Sequence, residues 1–264
     1  ATSQLWWGVG VAGNEVFAVG GNHRIIRRGS GGSWSLVVNP VPVESAYFQV
    51  VGGPSAGLAA AAGSFPGGNG KSLWWWNGSS WAQAMNDIPF INTAQALYVA
   101  GPNELYFGGS FTASGDTVTS LTRVARWNGS AFFPVGTGAD SSVFAMSAYA
   151  GELVIGGNMA NAGGSGAQRI ARWNGALWRP LAEGTSGGLN NGSANVNCIV
   201  PLDGLLYVGG TFTTTGTQAA ATLGTWTSGG GTLSFDQQPQ SITVCLTGTA
   251  GFTVVPSGNG PFSY

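Results

Sequence analysis

Residues that could carry catalytic chemistry are few and scattered in this chain. Its 264 positions hold one histidine, ten acidic residues and two cysteines. A Ser-His-Asp triad would have to use His23, which lies in the turn-like segment Gly21-Asn22-His23-Arg24. A single imidazole cannot form a multi-histidine metal centre, so the sequence favours a turn or surface role for His23.

Paired carboxylates are a second chemistry to consider, because two of them flanking a glycosidic bond can hydrolyse it. Asp116, Asp140 and Glu183 lie in predicted loops and could face one pocket. The predicted turns between first and second strands hold Glu15, Glu104, Glu152 and Asp203. The sequence has no Asp-x-Asp run for calcium and no complete Gly-x-x-x-x-Gly-Lys-Ser/Thr phosphate-loop motif. We therefore expect no enzyme activity, no metal and no cofactor.

Aromatic side chains are the remaining candidates for recognition, since an exposed tryptophan offers a flat apolar face and an N–H donor. Four tryptophans recur at one repeat position and are predicted to be core: Trp76, Trp127, Trp173 and Trp226. Six aromatics depart from the repeat and are the candidate ligand-binding residues: Trp6, Trp7, Trp74, Trp75, Phe132 and Phe133. Such side chains suit stacking on a sugar ring or anchoring a protein partner.

Composition excludes several classes of protein. The chain is 43% hydrophobic and only 7% charged, with a net charge of −1. Disordered chains combine low hydrophobicity with high charge, and nine Lys and Arg do not form the basic stripe of a nucleic-acid binder. No apolar run reaches the roughly 18 residues of a membrane-spanning helix. We expect an ordered chain with neither a nucleic-acid partner nor a membrane span.

The elements that must position these residues form a repeat. Arg-x-x-Arg-Trp-Asn-Gly occurs at 123–129 and 169–175, and a Gly-Gly-x-Phe/Met marker occurs at 108–111, 156–159 and 209–212. The marker tryptophans are 51 residues apart from 76 to 127, 46 from 127 to 173 and 53 from 173 to 226. Repeats of this length are typical of propeller blades.

Each unit is predicted to have four strands. In the fourth unit they are Val143 to Ala148, Glu152 to Gly156, Gln168 to Trp173 and Leu177 to Leu181. Asn-Gly at 77–78, 128–129 and 174–175 predicts type I′ hairpins between the last two strands. Radially repeated antiparallel units indicate an all-β propeller. We predict five blades, or six or seven if residues upstream of Ala1 are missing, with approximate bounds 1–40, 41–88, 89–137, 138–186 and 187–235.

The segment Trp6–Gly20 (WWGVGVAGNEVFAVG) resembles a blade opening of secreted bacterial propeller repeats. Units three to five resemble the related repeats with Gly-Gly-x-Phe and Ala-Arg-Trp-Asn-Gly. The resemblance covers roughly residues 5–235. It implies blade geometry, carries no catalytic residues, and implies an exported bacterial protein that is extracellular or on the cell surface.

The repeat stops after Phe235. Segments 238–245 and 248–255 resemble the opening of immunoglobulin-like domains of large secreted bacterial proteins. We therefore predict a propeller at 1–235 and either the start of an immunoglobulin-like domain or a docking tail at 236–264. Cys198 is predicted to be a buried small apolar residue. Pairing with Cys245 is the alternative, and the resemblance implies that Cys245 would pair within the rest of the immunoglobulin-like domain.

The function predicted from these observations is a non-catalytic binding or structural module of a secreted or cell-surface multidomain protein. Its expected partners are other domains or subunits of a surface assembly, with glycans as further candidates. One alternative is a lectin with tryptophan-lined pockets, and another is a glycan-active enzyme using loop carboxylates. Near-zero net charge produces little repulsion between copies, which favours a protein packed against neighbours.

Overall fold

In the computed structural model of this chain, every assigned element is a β-strand. The described residues are 6–12, 15–20, 24–29, 31–37, 47–52, 59–64, 71–76, 81–85, 94–101, 104–112, 121–181, 189, 194–215, 218–219, 222–227, 235–237 and 255–256. Among them, none belongs to a helix with the length and apolarity of a membrane crossing. The chain divides into two compact units, 1–146 and 147–264, and each is described by itself.

Three four-stranded antiparallel sheets follow one another in the first unit. The first sheet has the order β1-β2-β3-β4, with strands Trp6–Ala12, Glu15–Gly20, Arg24–Arg28 and Trp34–Val37. The second has the order β5-β6-β7-β8, with strands Tyr47–Gly52, Ala59–Ser64, Lys71–Trp76 and Trp81–Met85. The third has the order β9-β10-β11-β12, with strands Ala94–Gly101, Glu104–Gly109, Val124–Trp127 and Phe132–Pro134.

The fourth sheet repeats this pattern with a small hairpin inserted after its second strand. In chain order the strands β13 to β18 are Val143–Tyr149, Glu152–Gly157, Asn161–Ala162, Ser165–Gly166, Ile170–Trp173 and Trp178–Pro180. The sheet order is β13-β14-β17-β18, and β15 pairs with β16. The four strands predicted for this unit are therefore confirmed, with bounds that differ by at most two residues.

The fifth sheet contains three strands in the order β19-β20-β23, and it also has an inserted hairpin, β21-β22. Strands β19 to β23 are Val196–Leu202, Leu205–Gly210, Thr214–Thr215, Gln218–Ala219 and Leu223–Thr227. A separate two-stranded sheet pairs β24 with β25, which are Phe235–Gln237 and Val255–Pro256.

The type I′ geometry predicted for the Asn-Gly hairpins occurs elsewhere. Two-residue turns with two positive φ angles join first to second strands at Ala150-Gly151 (51° and 79°) and Asp203-Gly204 (51° and 77°). At Asn128-Gly129 and Asn174-Gly175 only the glycine has positive φ, and four residues separate Trp173 from its pairing partner Trp178. The type I′ prediction is therefore wrong at these two sites, and Asn77-Gly78 lies outside the described residues. The reason is local: Asn174 Oδ1 accepts the backbone N–H of Leu177 at 2.8 Å and holds a longer loop.

The residue before the third main strand has one unusual backbone conformation in three units. Arg123, Arg169 and Thr222 have φ of 68°, 80° and 68°. A left-handed conformation costs a non-glycine residue about 1–2 kcal/mol. In the third sheet two bonds offset this cost: the Arg123 N–H donates to the Phe111 carbonyl at 2.8 Å, and its carbonyl accepts the Gly109 N–H at 3.0 Å. Arg169 and Thr222 make the same pair of bonds in their own units, so the sequence repeat is also a structural repeat.

Apolar side chains alternate along each strand and build a core on one face of the third sheet. This cluster consists of Ala94, Leu97, Val99, Leu105, Phe107, Phe111, Leu121, Ala125 and Trp127. Alternation follows from the two-residue period of a strand. The prediction that the marker tryptophans are core is confirmed for Trp127 and Trp226, whereas Trp173 is half-buried. The side chain of Trp76, like all those of the second sheet, lies outside the described residues.

Glycines allow successive sheets to approach closely, face to face. A Cβ atom added at Gly108 on β10 would lie 2.6 Å from Val143 Cγ1 and 2.8 Å from Met146 Cε, both on β13. Gly156 on β14 meets Val196 and Ile199 of β19 in the same way. The first strands of the first three sheets are also neighbours, β1 beside β5 and β5 beside β9. In the described residues, the first strand of one sheet therefore packs beside the preceding sheet at these contacts, as in propeller blades.

Candidate functional site on the third sheet

Strand register places four side chains in one row across the third sheet. Tyr106 on β10 pairs with Tyr98 on β9 and with Arg126 on β11. Arg126 in turn pairs with Phe133 on β12. Cross-strand partners point to the same face of a sheet, and Glu104, two residues before Tyr106, shares that face. These five residues are called the tyrosine row below.

Glu104 organises the polar part of the tyrosine row. The Tyr106 hydroxyl donates to Glu104 Oε1 at 3.0 Å, and Arg126 Nε donates to the same oxygen at 2.8 Å. The rings of Tyr98 and Tyr106 lie beside each other, with centroids 6.4 Å apart and planes tilted by 32°. One carboxylate therefore orients a phenol and a guanidinium next to a pair of aromatic rings.

The tyrosine row is accessible to a ligand. The side chains of Arg126 and Glu104 are 44% and 37% exposed, and Phe133 is 43% exposed. Tyr98 and Tyr106 are half-buried. The opposite face of the same strands carries the buried core cluster. On the row's own face, Gly108 lies two residues beyond Tyr106 and is covered by Val143 and Met146. The accessible part of this face is therefore the part around Glu104, Arg126 and Phe133.

Both phenols remain protonated at physiological pH. Burial raises the pKa of Tyr106 to about 12, helped by the hydrogen bond to Glu104 and its negative charge and opposed by Arg126. Burial, and then the charge of Glu104, also raises the pKa of Tyr98. The row therefore offers neutral hydroxyls, an ion pair and aromatic faces, which is the chemistry of recognition.

The structure brings one of the six aromatic candidates into this row. Phe133 is a member, whereas its neighbour Phe132 packs on the core cluster, edge-to-face with Phe107 at a centroid distance of 5.8 Å. The other four candidates lie on β1 and β7, and their side chains are not among those that the structure describes: Trp6, Trp7, Trp74 and Trp75. The two tyrosines were not among the candidate residues predicted from sequence. One sequence signal could have identified the row. In three units a glutamate begins the second strand and an arginine lies in the third strand.

That recurring ion pair corrects the prediction made for the acidic residues. Glu15, Glu104 and Glu152 are the first residues of second strands, and each pairs with an arginine of the adjacent third strand. The pairs are Glu15–Arg27, Glu104–Arg126 and Glu152–Arg172. Asp203 does lie in a turn.

The repeated arginines, predicted to bond backbone carbonyls between blades, divide into two kinds. Arg123 and Arg169 donate to carbonyls of their own units, at Phe111 (3.4 Å) and Asn158 (2.7 Å). Arg172 donates to Glu152 at 3.2 Å and to the Pro180 carbonyl at 3.2 Å. Its guanidinium also lies 5.6 Å from the centroid of the Trp226 ring on the next sheet. Arg126 differs from the prediction, since its hydrogen-bond partner is a carboxylate.

The remaining sequence candidates fall outside this site. Cys198 is a free thiol with an exposed side chain, so the prediction that it is buried is wrong. Asp140 is exposed, whereas His23, Asp116, Glu183 and Cys245 lie outside the described residues. Within the described part of the chain, no three His, Cys, Asp or Glu side chains are grouped as metal ligands.

Four-stranded antiparallel blades packed through their first strands define an all-β propeller-type protein. A solved structure titled YCF48 bound to D1 peptide is similar, with a TM-score of 0.54, 15% identity, and coverage of 88% of this chain and 66% of that chain. The tricorn protease is also similar, with a TM-score of 0.50, 14% identity, and coverage of 87% and 22%. A third is YCF48 from Cyanidioschyzon merolae, with a TM-score of 0.48, 13% identity, and coverage of 95% and 72%.

At these identities the likeness is one of fold. The chain spans slightly less than two thirds of the first of these structures. No protein-family model matches the sequence, and no curated protein does. The number of blades stays a prediction.

Proposed function

We propose that this chain is a non-catalytic binding module of a secreted or cell-surface multidomain protein, and that the tyrosine row contacts its partner. The observation that carries the proposal is a partly exposed row of aromatic, hydroxyl and guanidinium groups on a sheet whose other face is core. The row spans three interstrand spacings, about 14 Å. That length accommodates about four residues of extended peptide.

The chemistry of the row favours a protein partner. Tyrosine and arginine are enriched among the residues that dominate protein–protein binding energy, and phenylalanine is enriched at interfaces. Arg126 is already paired with Glu104, so the row presents little net charge and suits a neutral, partly apolar peptide segment. A propeller-type neighbour was solved with a peptide, which supports the idea that this fold can hold one.

The extracellular setting is part of the proposal and rests on sequence. Its support is the resemblance of residues 6–20 and of units three to five to secreted bacterial propeller repeats. The resemblance of the tail to an immunoglobulin-like opening supports a multidomain context. Other domains or subunits of the same surface assembly are the partners that this setting favours.

A peptide array probed with the 264-residue chain tests the proposal. We expect binding to neutral peptides containing aromatic or aliphatic residues. Phe133→Ala or Tyr98→Ala should weaken binding by about tenfold, equivalent to about 1.4 kcal/mol. Leu177→Ala is the matched control, because Leu177 is 62% exposed and belongs to the fourth sheet. Equal affinity of all three variants, with unchanged circular dichroism, would remove the row from the proposed function.

A lectin is the second candidate, and the same row favours it through a different contact. An exposed phenylalanine ring and two neutral tyrosines can stack on sugar rings and bond their hydroxyls. A glycan array separates the two candidates. Saturable binding to a sugar that Phe133→Ala abolishes would establish the lectin, whereas binding confined to the peptide array would exclude it.

A further inference from the structure

The aromatic positions of the tyrosine row have a defined spacing. Tyr106 and Phe133 lie two strands apart, because Tyr106 pairs with Arg126 and Arg126 pairs with Phe133. Adjacent strands are separated by about 4.8 Å, so these two positions are about 9.6 Å apart. Arg126 lies midway between them. A ligand crossing the strands along the row therefore meets a ring, a guanidinium and a second ring in that order.

One backbone conformation repeats with this spacing. A polyproline II helix has three residues per turn and rises about 3.1 Å per residue, so its residues i and i+3 lie on one side and about 9.3 Å apart. A β-strand repeats every two residues, about 6.7 Å, and its next residue on the same side would fall between Arg126 and Phe133. On an α-helix, neighbours on the same side are about 5–6 Å apart. The ring spacing therefore favours a polyproline II ligand.

The polar groups of the row suit the same kind of ligand. Arg126 uses Nε for its hydrogen bond to Glu104, and within the described part of the chain its two terminal nitrogens have no hydrogen-bond partner. The carbonyl groups of a polyproline II helix make no internal hydrogen bonds, so they can accept hydrogen bonds from these nitrogens. Glu104 already accepts two hydrogen bonds at one oxygen. A ligand rich in proline brings few N–H groups that would need further acceptors.

Exposure along the row agrees with a ligand on this path. Arg126 and Phe133 are exposed, and Tyr106 is half-buried. The ring of Tyr98 lies beside that of Tyr106 and enlarges the first aromatic position. The ion pair of Glu104 with Arg126 leaves the row without net charge. A ligand bound here would therefore be neutral and would cross β10, β11 and β12.

We propose that the tyrosine row binds a neutral, proline-rich segment of a protein partner in the polyproline II conformation. Two prolines three positions apart would contact Tyr106 and Phe133, and a carbonyl between them would accept a hydrogen bond from Arg126. This ligand class rests on the proposed function, whose peptide partner it specifies. Aromatic surfaces suit such segments because a polyproline II helix is ordered before it binds and loses little conformational entropy.

Peptides of one composition and different proline spacing test this ligand class. Each peptide is acetylated, amidated and fluorescently labelled, and contains two prolines among alanine, leucine and serine. In fluorescence anisotropy, the Pro-x-x-Pro peptide should bind at least about tenfold more tightly than the Pro-x-Pro and Pro-x-x-x-Pro peptides. A proline-free peptide of equal length and neutral charge measures binding that does not depend on proline.

Two variants in the row separate the contribution of the rings from that of the guanidinium. Phe133→Ala removes the second ring, so it should weaken Pro-x-x-Pro binding about tenfold and abolish the preference for spacing. Arg126→Gln should weaken binding but keep the preference, because both rings remain. Leu177→Ala is the control, since Leu177 is exposed on another sheet. All three variants should keep the circular dichroism of the unmodified chain.

The outcomes distinguish failure of the ligand class from failure of the proposed function. Binding that depends on Phe133 but is equal for all proline spacings, or tighter for the proline-free peptide, would overturn the polyproline II ligand and leave a peptide-binding row. A spacing preference that survives in Phe133→Ala would also overturn it, because the prolines would then bind elsewhere. Absence of binding to any peptide, here and on the array, would overturn both proposals.

Discussion

The third and fourth blades each have a Glu–Arg ion pair at the same repeat position, but the two pairs differ in how exposed they are. These pairs are Glu104–Arg126 and Glu152–Arg172. In the third blade the side chain of Arg126 is 44% exposed and that of Glu104 is 37% exposed. In the fourth blade Arg172 is only 18% exposed and Glu152 only 20%. In the fourth blade the guanidinium also bonds a carbonyl and lies over Trp226. In the third it borders two tyrosines on an accessible face. A repeat position is therefore structural or available for recognition according to its neighbours.

The largest loss of stability should come from changing the glycine that both blades have at their contact with the next sheet. Gly108→Val and Gly156→Val each place a side chain where the next sheet already packs. Overpacking of this kind costs about 3 kcal/mol, so both variants should lose stability by similar amounts in urea unfolding. Gly209→Val is the control, because the atom closest to an added Cβ there is Sγ of Cys198, whose exposed side chain can rotate away. A cost at Gly108 or Gly156 no larger than at Gly209 would show that close packing of the next sheet does not depend on these glycines.

The arginines should separate the two blades. Arg172→Ala removes a mostly buried ion pair, a carbonyl bond and a cation–π contact, and we expect a loss of about 2–3 kcal/mol. Arg126→Ala removes a half-exposed pair and should cost less than about 1 kcal/mol while weakening ligand binding. Thermal unfolding and array binding measured on both variants check this. Equal losses of stability would show that the two ion pairs contribute equally to folding and would contradict the comparison between the blades.

The smallest effect is a pH dependence confined to the third blade. Its Tyr106 has a pKa raised to about 12, above the ordinary value of 10.0. The unfolded chain releases the phenolic proton first, so the contribution of Tyr106 to stability is complete below pH 10 and is lost as pH rises towards 12. Tyr106→Phe should flatten the decline of stability across that range, as followed by urea unfolding. An unchanged slope would show that Tyr106 ionises alike in both states.

Local signals were sufficient for the strands and the repeat. The spacing of the tryptophan markers and the Gly-Gly pairs located the four strands of the fourth unit to within two residues. Local signals did not predict loop conformation or burial where a side chain has more than one available partner. The Asn174 side chain holds a four-residue loop that the Asn-Gly dipeptide does not specify, and Cys198 lies on a face that the repeat alone predicts to be covered.

The candidate site was accessible to sequence reasoning only in part. Phe133 was selected because it departs from the repeat, and it does join the tyrosine row. Tyr98, Tyr106 and Arg126 come from three strands and meet only through pairing register. Glu104 looked like a turn residue because its partner Arg126 lies 22 positions away, a separation that local patterns do not read.

By itself, the sequence determined the all-β class, the blade period and the positions of the Gly-Gly pairs, because these follow from turn chemistry, two-residue alternation and steric size along the chain. The tertiary structure decided which faces are covered and which are open. Burial depends on what packs opposite a residue, and that partner belongs to another strand or another sheet. For this reason the same Glu–Arg pair stabilises packing in the fourth blade and remains accessible in the third.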